Sequence, residues 1–171
     1  AIEITAGGEF ATSPVVGSNV SSTTTAGLTF GCQTNRFNDV WYSVVVPDSG
    51  SLTIETDTTT GTTMTDSVIS VFTGTCGSLV EVGCDDDTGN GNFSKVSLTA
   101  LTPGETLYIG VWKWGTSADG DFQLSAYDAS LLSNDVFQTS SFKAYPNPVK
   151  NILNLSHNKN ISNVAVYNLL G

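Results

Sequence analysis

Three consecutive aspartates, Asp85, Asp86 and Asp87, are the residues of this chain best suited to chemistry. Adjacent carboxylates repel one another unless solvent, backbone amides or a hard cation offsets their charge, and Ca²⁺ takes about six to eight oxygen ligands. The Gly-Asn-Gly at residues 89–91 lets the backbone turn tightly enough to bring carbonyl oxygens to the same point. The sequence therefore predicts a Ca²⁺ site, with a solvated acidic turn as the alternative.

Two further aspartates, Asp39 and Asp66, each stand directly before a predicted core strand. Their side chains should therefore lie at the end of a sheet, where loops converge. An aspartate at such a position also serves as a backbone cap, which is the alternative interpretation for each of them. The predicted metal ligands are Asp85, Asp86, Asp87, Asn90, Asp39 and Asp66.

The chain contains three cysteines. Cys76 and Cys84 flank a glycine-containing bend and a short apolar run, which predicts a disulfide across a hairpin. Such a bond indicates an oxidising, extracytoplasmic setting. Cys32 is then left over, either as a buried thiol or as the orphan of a pair whose partner is missing.

A strand-like run at residues 107–114 alternates aliphatic side chains with aromatic ones. Because successive side chains of a strand point to opposite faces, the aliphatic residues should face the core and the aromatic residues the outside. The rings of Trp112 and Trp114 would lie roughly 6.5–7 Å apart along the strand, which suits stacking on a sugar chain, and exposed apolar patches tend to be interaction sites. We expect carbohydrate to bind at Tyr108, Trp112, Lys113 and Trp114. The alternative is that a loop or the N-terminal arm covers the two tryptophans.

The composition narrows the possible partners. The chain carries 6 Lys+Arg against 16 Asp+Glu, a formal net charge of −10. This charge disfavours nucleic acid, whose binders need a basic face to release counterions, and it disfavours anionic membrane surfaces. The expected polysaccharide is therefore neutral or lightly substituted. No apolar run reaches the length of about 18 residues that a spanning helix needs, so we expect no membrane insertion.

The hydrophobic pattern has a period of two over residues 1–128, and turn signals interrupt it roughly every 8–12 positions. This pattern predicts an all-β fold, an antiparallel β-sandwich of the jelly-roll type with about eight or nine strands. Residues 129–141 are polar and aperiodic, which is typical of a linker. Residues 142–171 contain about three further strands, too few to bury a core of their own.

Catalysis has little support in the sequence. The only histidine, His157, lies in the 142–171 segment, which argues against hydrolytic triads and histidine-ligated zinc. Carboxylates suited to glycoside hydrolysis are numerous, but nothing separates a catalytic pair from ordinary surface acids. We expect no enzymatic activity.

Two motifs stand in the C-terminal segment: YPNPVKNILNL at residues 145–155 and VAVYNLLG at residues 164–171. On these motifs, residues 142–171 closely resemble the C-terminal sorting domain of the type IX secretion system of Bacteroidetes. The strands expected after Gly171 are absent from the sequence, so the resemblance is to part of that domain. It implies export across the outer membrane, a secreted or cell-surface location, and the type IX secretion machinery as a partner.

The N-terminal part resembles the bacterial pre-peptidase C-terminal (PPC-like) β-sandwich domain. The resemblance is carried by DVWYS at residues 39–43, DSVISVFTG at 66–74, the cysteine and aspartate hairpin at 76–87, and LYIGV at 107–111. It implies an accessory module of a secreted peptidase or polysaccharide-degrading enzyme, one that often holds Ca²⁺.

The leading hypothesis is a non-catalytic carbohydrate-binding accessory module of a secreted, polysaccharide-degrading enzyme, with Ca²⁺-stabilised loops. The alternative is a structural, adhesion or spacer module of a secreted peptidase or surface protein, with no glycan ligand.

Overall fold

The computed structural model describes residues 1–28, 30–33, 37–132, 143–145, 150–157, 160–161 and 163–164. The chain divides into two compact units, Ala1–Leu132 and Ser133–Gly171. Of the segment predicted as a linker, residues 129–132 form a short 3-10 helix and the remainder lies outside the described residues. Among the described residues, no helix is both long enough and apolar enough to span a membrane.

Among its described residues, the first unit contains nine strands and two short 3-10 helices, Phe10–Thr12 and Ala129–Leu132. The strands are β1 (Ile2–Glu3), β2 (Val15–Ser18), β3 (Val40–Val45), β4 (Leu52–Asp57), β5 (Ser67–Thr75), β6 (Ser78–Asp85), β7 (Lys95–Leu98), β8 (Thr106–Lys113) and β9 (Asp121–Tyr127).

The strands form two sheets. One sheet has the order β2-β9-β4-β7 and the other the order β1-β3-β8-β5-β6. All neighbours run antiparallel except β1, which pairs with β3 in parallel. From β2 to β9 this is the strand order of a jelly roll, in which two Greek keys divide eight strands between two sheets. The predicted fold class is confirmed.

The core fills the space between the sheets, as the period-two pattern requires. On β8 the aliphatic residues Leu107, Ile109 and Val111 are completely buried, as predicted. Across the core, the ring of Tyr42 on β3 contacts Phe122 on β9, with ring centroids 6.3 Å apart. The two sheets are therefore held together by interdigitating side chains from their inner faces.

The strong turn signal at residues 47–50 connects β3 to β4. The amide of Gly50 donates to the carbonyl of Pro47 at 3.0 Å. Gly50 has a φ of +67°, and a Cβ there would lie 2.8 Å from the carbonyl oxygen of Leu101. Glycine is therefore required at this position by both backbone conformation and close packing.

In the second unit, β10 (Lys143–Tyr145) pairs antiparallel with β11 (Asn154–Ser156). These two short strands lie within the predicted strand-forming segment. Residues 146–149 and 165–171, which belong to the quoted sorting motifs, lie outside the described residues.

Candidate functional site

An acidic cluster forms where β5 begins and β6 ends. Asp66 directly precedes β5, and Asp86 and Asp87 directly follow β6. Because the two strands are antiparallel neighbours, the start of one lies beside the end of the other. One carboxylate oxygen from each of the three residues lies within 4.8 Å of the others. Three of the six predicted ligands therefore converge at one point.

The cluster is electrostatically unfavourable without a counterion. Burial raises the pKa of the Asp66 carboxyl to about 6, and the charges of Asp86 and Asp87 add to the effect. The pKa of Asp86 is also raised, by burial and then by the charges of Asp87 and Asp85, although a hydrogen bond from Gln33 lowers it. Negative charge at these oxygens therefore costs free energy that solvent does not offset.

Two oxygen atoms of the cluster have no hydrogen-bond donor. Oδ1 of Asp66 and Oδ1 of Asp86 are both buried without a partner in the described part of the chain. Buried polar atoms are normally paired, and an exception calls for an explanation such as an ion. The donor set is all carboxylate oxygen, which is the chemistry that Ca²⁺ prefers. The residues therefore fit a hard divalent cation.

Two of the other predicted ligands hold loops in place. Asp85 accepts hydrogen bonds from the amides of Thr88, at 3.0 Å, and Lys95, at 2.8 Å. The side-chain amide of Asn90 donates to Asp57 at 3.1 Å. These contacts are those of turn-organising residues, so the expectation that Asp85 and Asn90 share the cluster is corrected.

Asp39 is likewise engaged elsewhere. It accepts hydrogen bonds from the amide of Thr25 and from Nε1 of Trp41, both at 2.6 Å. Its role is therefore the capping role that was the alternative, and it does not join Asp66.

The predicted disulfide between Cys76 and Cys84 is wrong. Cys84 is bonded to Cys32, with Cα atoms 5.9 Å apart, and Cys76 is free and exposed. Cys76 lies in the tight turn between β5 and β6, whereas Cys84 stands opposite Ser70 at the far end of the hairpin. Six residues of strand separate Cys84 from the turn, a distance of about 20 Å, and a disulfide cannot bridge Cα atoms more than about 7 Å apart.

The prediction that Trp112 belongs to an exposed aromatic strip is also wrong. Trp112 has 0% exposure. Phe30, from the loop between β2 and β3, packs on Trp112 with ring centroids 4.9 Å apart and on Phe72 at 5.5 Å. The outer face of β8 is therefore covered by a loop, which was the alternative interpretation.

The other predicted sugar-binding residues are dispersed. Trp114 follows the end of β8 and is 41% exposed. Lys113 is half-buried, and its Nζ lies 3.4 Å from Oδ1 of Asp119. Tyr108 is half-buried near the other end of the strand. With Trp112 covered, these side chains do not form one continuous surface.

Tyr108 instead lines a cleft that the sequence did not indicate. The cleft has a volume of about 470 Å³, and Trp41, Leu28, Leu79 and the free Cys76 are also on its walls. Trp41 and Tyr108 are diagonal neighbours on adjacent strands, since Trp41 pairs with Gly110 in the register of β3 and β8. Aromatic side chains with few polar groups are typical of the lining of a ligand site.

Two contributors to these sites were missed. Phe30 and Gln33 both lie in the connection between β2 and β3, which has no periodic pattern. The one available signal was Cys32 between them, because a disulfide would tie this connection to a strand.

Comparisons with known proteins found one family model that matches part of the chain and solved structures that are similar to it. Residues 143–171 match the family described as the secretion system C-terminal sorting domain. No curated protein matches the chain. Among solved structures, the chain is similar to the pre-peptidase C-terminal domain of a collagenase from Bacillus anthracis, with 14% sequence identity and a TM-score of 0.45. That similarity covers 73% of this chain and 92% of the other, and at such identity it transfers no ligand and no functional residue.

The sorting-domain match confirms the prediction for the C-terminal segment and, with it, the predicted location. Residues 143–171 are a type IX sorting tail, and the chain is exported by that secretion machinery to the cell surface or the extracellular space.

Proposed function

We propose that the β-sandwich is a non-catalytic accessory module of an exported protein, and that a Ca²⁺ ion ties together the two strand ends that carry Asp66, Asp86 and Asp87. The observation that carries the proposal is the convergence of three carboxylates, two of which have a buried oxygen without a donor. Bound Ca²⁺ would supply positive charge and accept these oxygens as ligands. Backbone carbonyls and water would complete its coordination.

Several features favour Ca²⁺ over other metals. Zinc sites in proteins contain cysteine or histidine ligands, with carboxylates only beside them, and the cluster of Asp66, Asp86 and Asp87 contains neither cysteine nor histidine. Mg²⁺ demands near-ideal octahedral geometry and keeps most of its water, whereas Ca²⁺ accepts irregular carboxylate arrangements. The extracellular location also provides a setting rich enough in Ca²⁺ for a site of modest affinity.

The non-catalytic part of the proposal rests on the distribution of reactive groups. The one histidine, His157, is in the second unit, where the sorting tail acts as an address for export. Cys84 is consumed in a disulfide. The cleft beside Tyr108 contains the thiol of Cys76, but no histidine or carboxylate among the described residues lines it as a partner base.

The Ca²⁺ site predicts a metal-dependent melting temperature. A ligand that binds only the folded state at a hundredfold excess over its Kd stabilises that state by about 2.7 kcal/mol. For a unit of this size we expect the melting temperature in Ca²⁺ to exceed that in EDTA by about 5–10 °C. Mg²⁺ should give a much smaller shift. Asp86→Ala should abolish the shift, whereas Asp48→Ala, at an exposed turn, should preserve it. Superimposable melting curves in Ca²⁺ and EDTA would show that the cluster is only a solvated turn.

The melting temperature should also depend on pH, and this dependence should differ with and without the metal. Without metal, Asp66 has a higher pKa folded than unfolded, so its ionisation destabilises the fold, and stability should rise as pH falls from about 7 to about 5. The stabilisation that Ca²⁺ provides should instead decrease as the pH falls over this range, because protons compete with the cation for the carboxylates. Asp66→Asn should remove both effects.

Carbohydrate binding is the second candidate function, and the cleft between Trp41 and Tyr108 is the observation that favours it. The indole of Trp41 is held by its hydrogen bond to Asp39, so its ring is fixed before any ligand arrives. A ring held in place in this way offers a face for a sugar ring at a reduced ordering cost. The net charge of −10 favours a neutral or lightly substituted glycan.

Affinity electrophoresis through gels containing soluble polysaccharides tests this candidate. We expect retardation on at least one neutral glycan and a loss of about 1–3 kcal/mol of binding free energy in Tyr108→Ala. Trp114→Ala is the matched control, because its ring lies outside the cleft, and it should bind like the wild type. The absence of retardation on every gel would favour the spacer or adhesion role, and retardation that depends on Trp114 rather than Tyr108 would show that the glycan binds outside the cleft.

A further inference from the structure

Part of the outer face of the five-stranded sheet, around Trp112, lies beneath four consecutive residues, 30–33, here called the covering segment. Phe30 at its start seals Trp112 and Phe72 from solvent. Beneath it, Nε1 of Trp112 and Oγ of Ser70 are buried without a hydrogen-bond partner among the described residues. When the segment covers these two atoms they lose their hydrogen bonds to water, which costs free energy. Other contacts of the segment with the sheet must therefore stabilise its closed position.

Two of these contacts are made to the edge strand β6. The amide of Gly31 donates to Oε2 of Glu81 at 2.7 Å. Cys32, the next residue, is covalently bonded to Cys84. The covering segment therefore runs along β6 towards the acidic cluster, with Gly31 at Glu81 and Cys32 at Cys84.

The fourth residue reaches the cluster itself. Gln33 makes a side-chain hydrogen bond to Asp86, only two residues beyond Cys84. An amide donor is neutral, so it orients the Asp86 carboxylate without neutralising it. The other carboxylate oxygen, the unpartnered Oδ1, remains available.

We propose that the covering segment and the cation site form one cooperative unit, in which the Cys32–Cys84 disulfide places Gln33 on Asp86 as a positioning residue. This inference rests on the proposed Ca²⁺ site. Cation binding fixes the end of β6 against the start of β5, which holds Cys84 and the segment closed over Trp112. Closure in turn presents Asp86 to the cation. By thermodynamic reciprocity, each event favours the other to the same extent.

Two readouts on the full chain test the coupling. Calcium affinity is measured by isothermal titration of metal-stripped protein, and closure by hydrogen exchange of the Trp112 indole N–H in NMR spectra, assigned with Trp112→Phe. We expect Ca²⁺ to slow that exchange at least tenfold in the wild type. Gln33→Ala, which keeps the disulfide, should weaken Ca²⁺ binding about tenfold and remove most of the effect on exchange, within the usual range of coupling between sites.

The matched control is Asn90→Ala, which removes an amide from the neighbouring loop that bonds Asp57 instead of the cluster. It should bind Ca²⁺ like the wild type. If Ca²⁺ binds the wild type and Gln33→Ala equally and leaves the Trp112 exchange unchanged, the coupling is refuted while the Ca²⁺ site stands. If neither the wild type nor any variant binds Ca²⁺, the proposed Ca²⁺ site and the proposed coupling are both refuted.

Discussion

Replacing Cys32 and Cys84 together by serine should lower the free energy of unfolding by about 4 kcal/mol. The two cysteines are 52 residues apart in sequence, and in the chain-entropy description a cross-link closing a loop of this length removes about that much unfolded-state entropy. The corresponding fall in melting temperature is about 8–16 °C. Thermal denaturation followed by circular dichroism measures it.

Cys76→Ser is the matched control for this prediction. Its thiol is exposed in a turn, and surface substitutions of this kind change stability by about 0.5 kcal/mol or less. A large loss in Cys76→Ser together with a small loss in the double variant would contradict the pairing and restore the hairpin bond predicted from spacing.

Trp112→Ala should cost about 3–5 kcal/mol, as expected when a fully buried indole is truncated. The reason is that Phe30 would lose the ring it packs on and a cavity would remain beneath the covering segment. Trp114→Ala should cost less than about 1 kcal/mol, because its ring is 41% exposed. Urea denaturation of the two variants gives the comparison.

The opposite order of stability would mean that Trp112 is solvent-exposed in solution. Acrylamide quenching provides an independent check, since a variant that retains only Trp112, with phenylalanine at the other two tryptophans, should be strongly protected from the quencher.

The strands were predictable because a strand that is buried on one face alternates apolar and polar residues, and this alternation is visible in the sequence. Leu107, Ile109 and Val111 show this most clearly, since each is aliphatic and each is completely buried. Short connections with strong turn residues then left little choice other than an antiparallel sandwich, and the jelly-roll order followed.

The outer face of β8 was not predictable by the same reasoning. Alternation decides which side of a sheet a residue faces, but not whether that side meets water. Trp112 does face outwards, yet Phe30 reaches it from a connection with no pattern of its own. The cysteine pairing failed for a related reason, because sequence spacing does not reveal that Cys84 stands at the end of β6 remote from the turn.

The acidic site was predictable in part. Asp66, Asp86 and Asp87 were all among the expected ligands, and the structure brings them together because they flank neighbouring antiparallel strands at one end of the sheet. Asp85 and Asn90 belong to the same loop, but backbone amides and Asp57 engage them. For Gln33 the one signal was the neighbouring Cys32, and the position of Gln33 depends on the long-range disulfide that this cysteine forms.

The most direct test of the central claim is isothermal titration of the metal-stripped chain with Ca²⁺, carried out on the wild type and on single aspartate-to-asparagine variants. The account predicts one Ca²⁺ per chain, lost or strongly weakened in Asp66→Asn, Asp86→Asn and Asp87→Asn and retained in Asp39→Asn. No binding to the wild type, or binding that survives all three cluster substitutions, would contradict it.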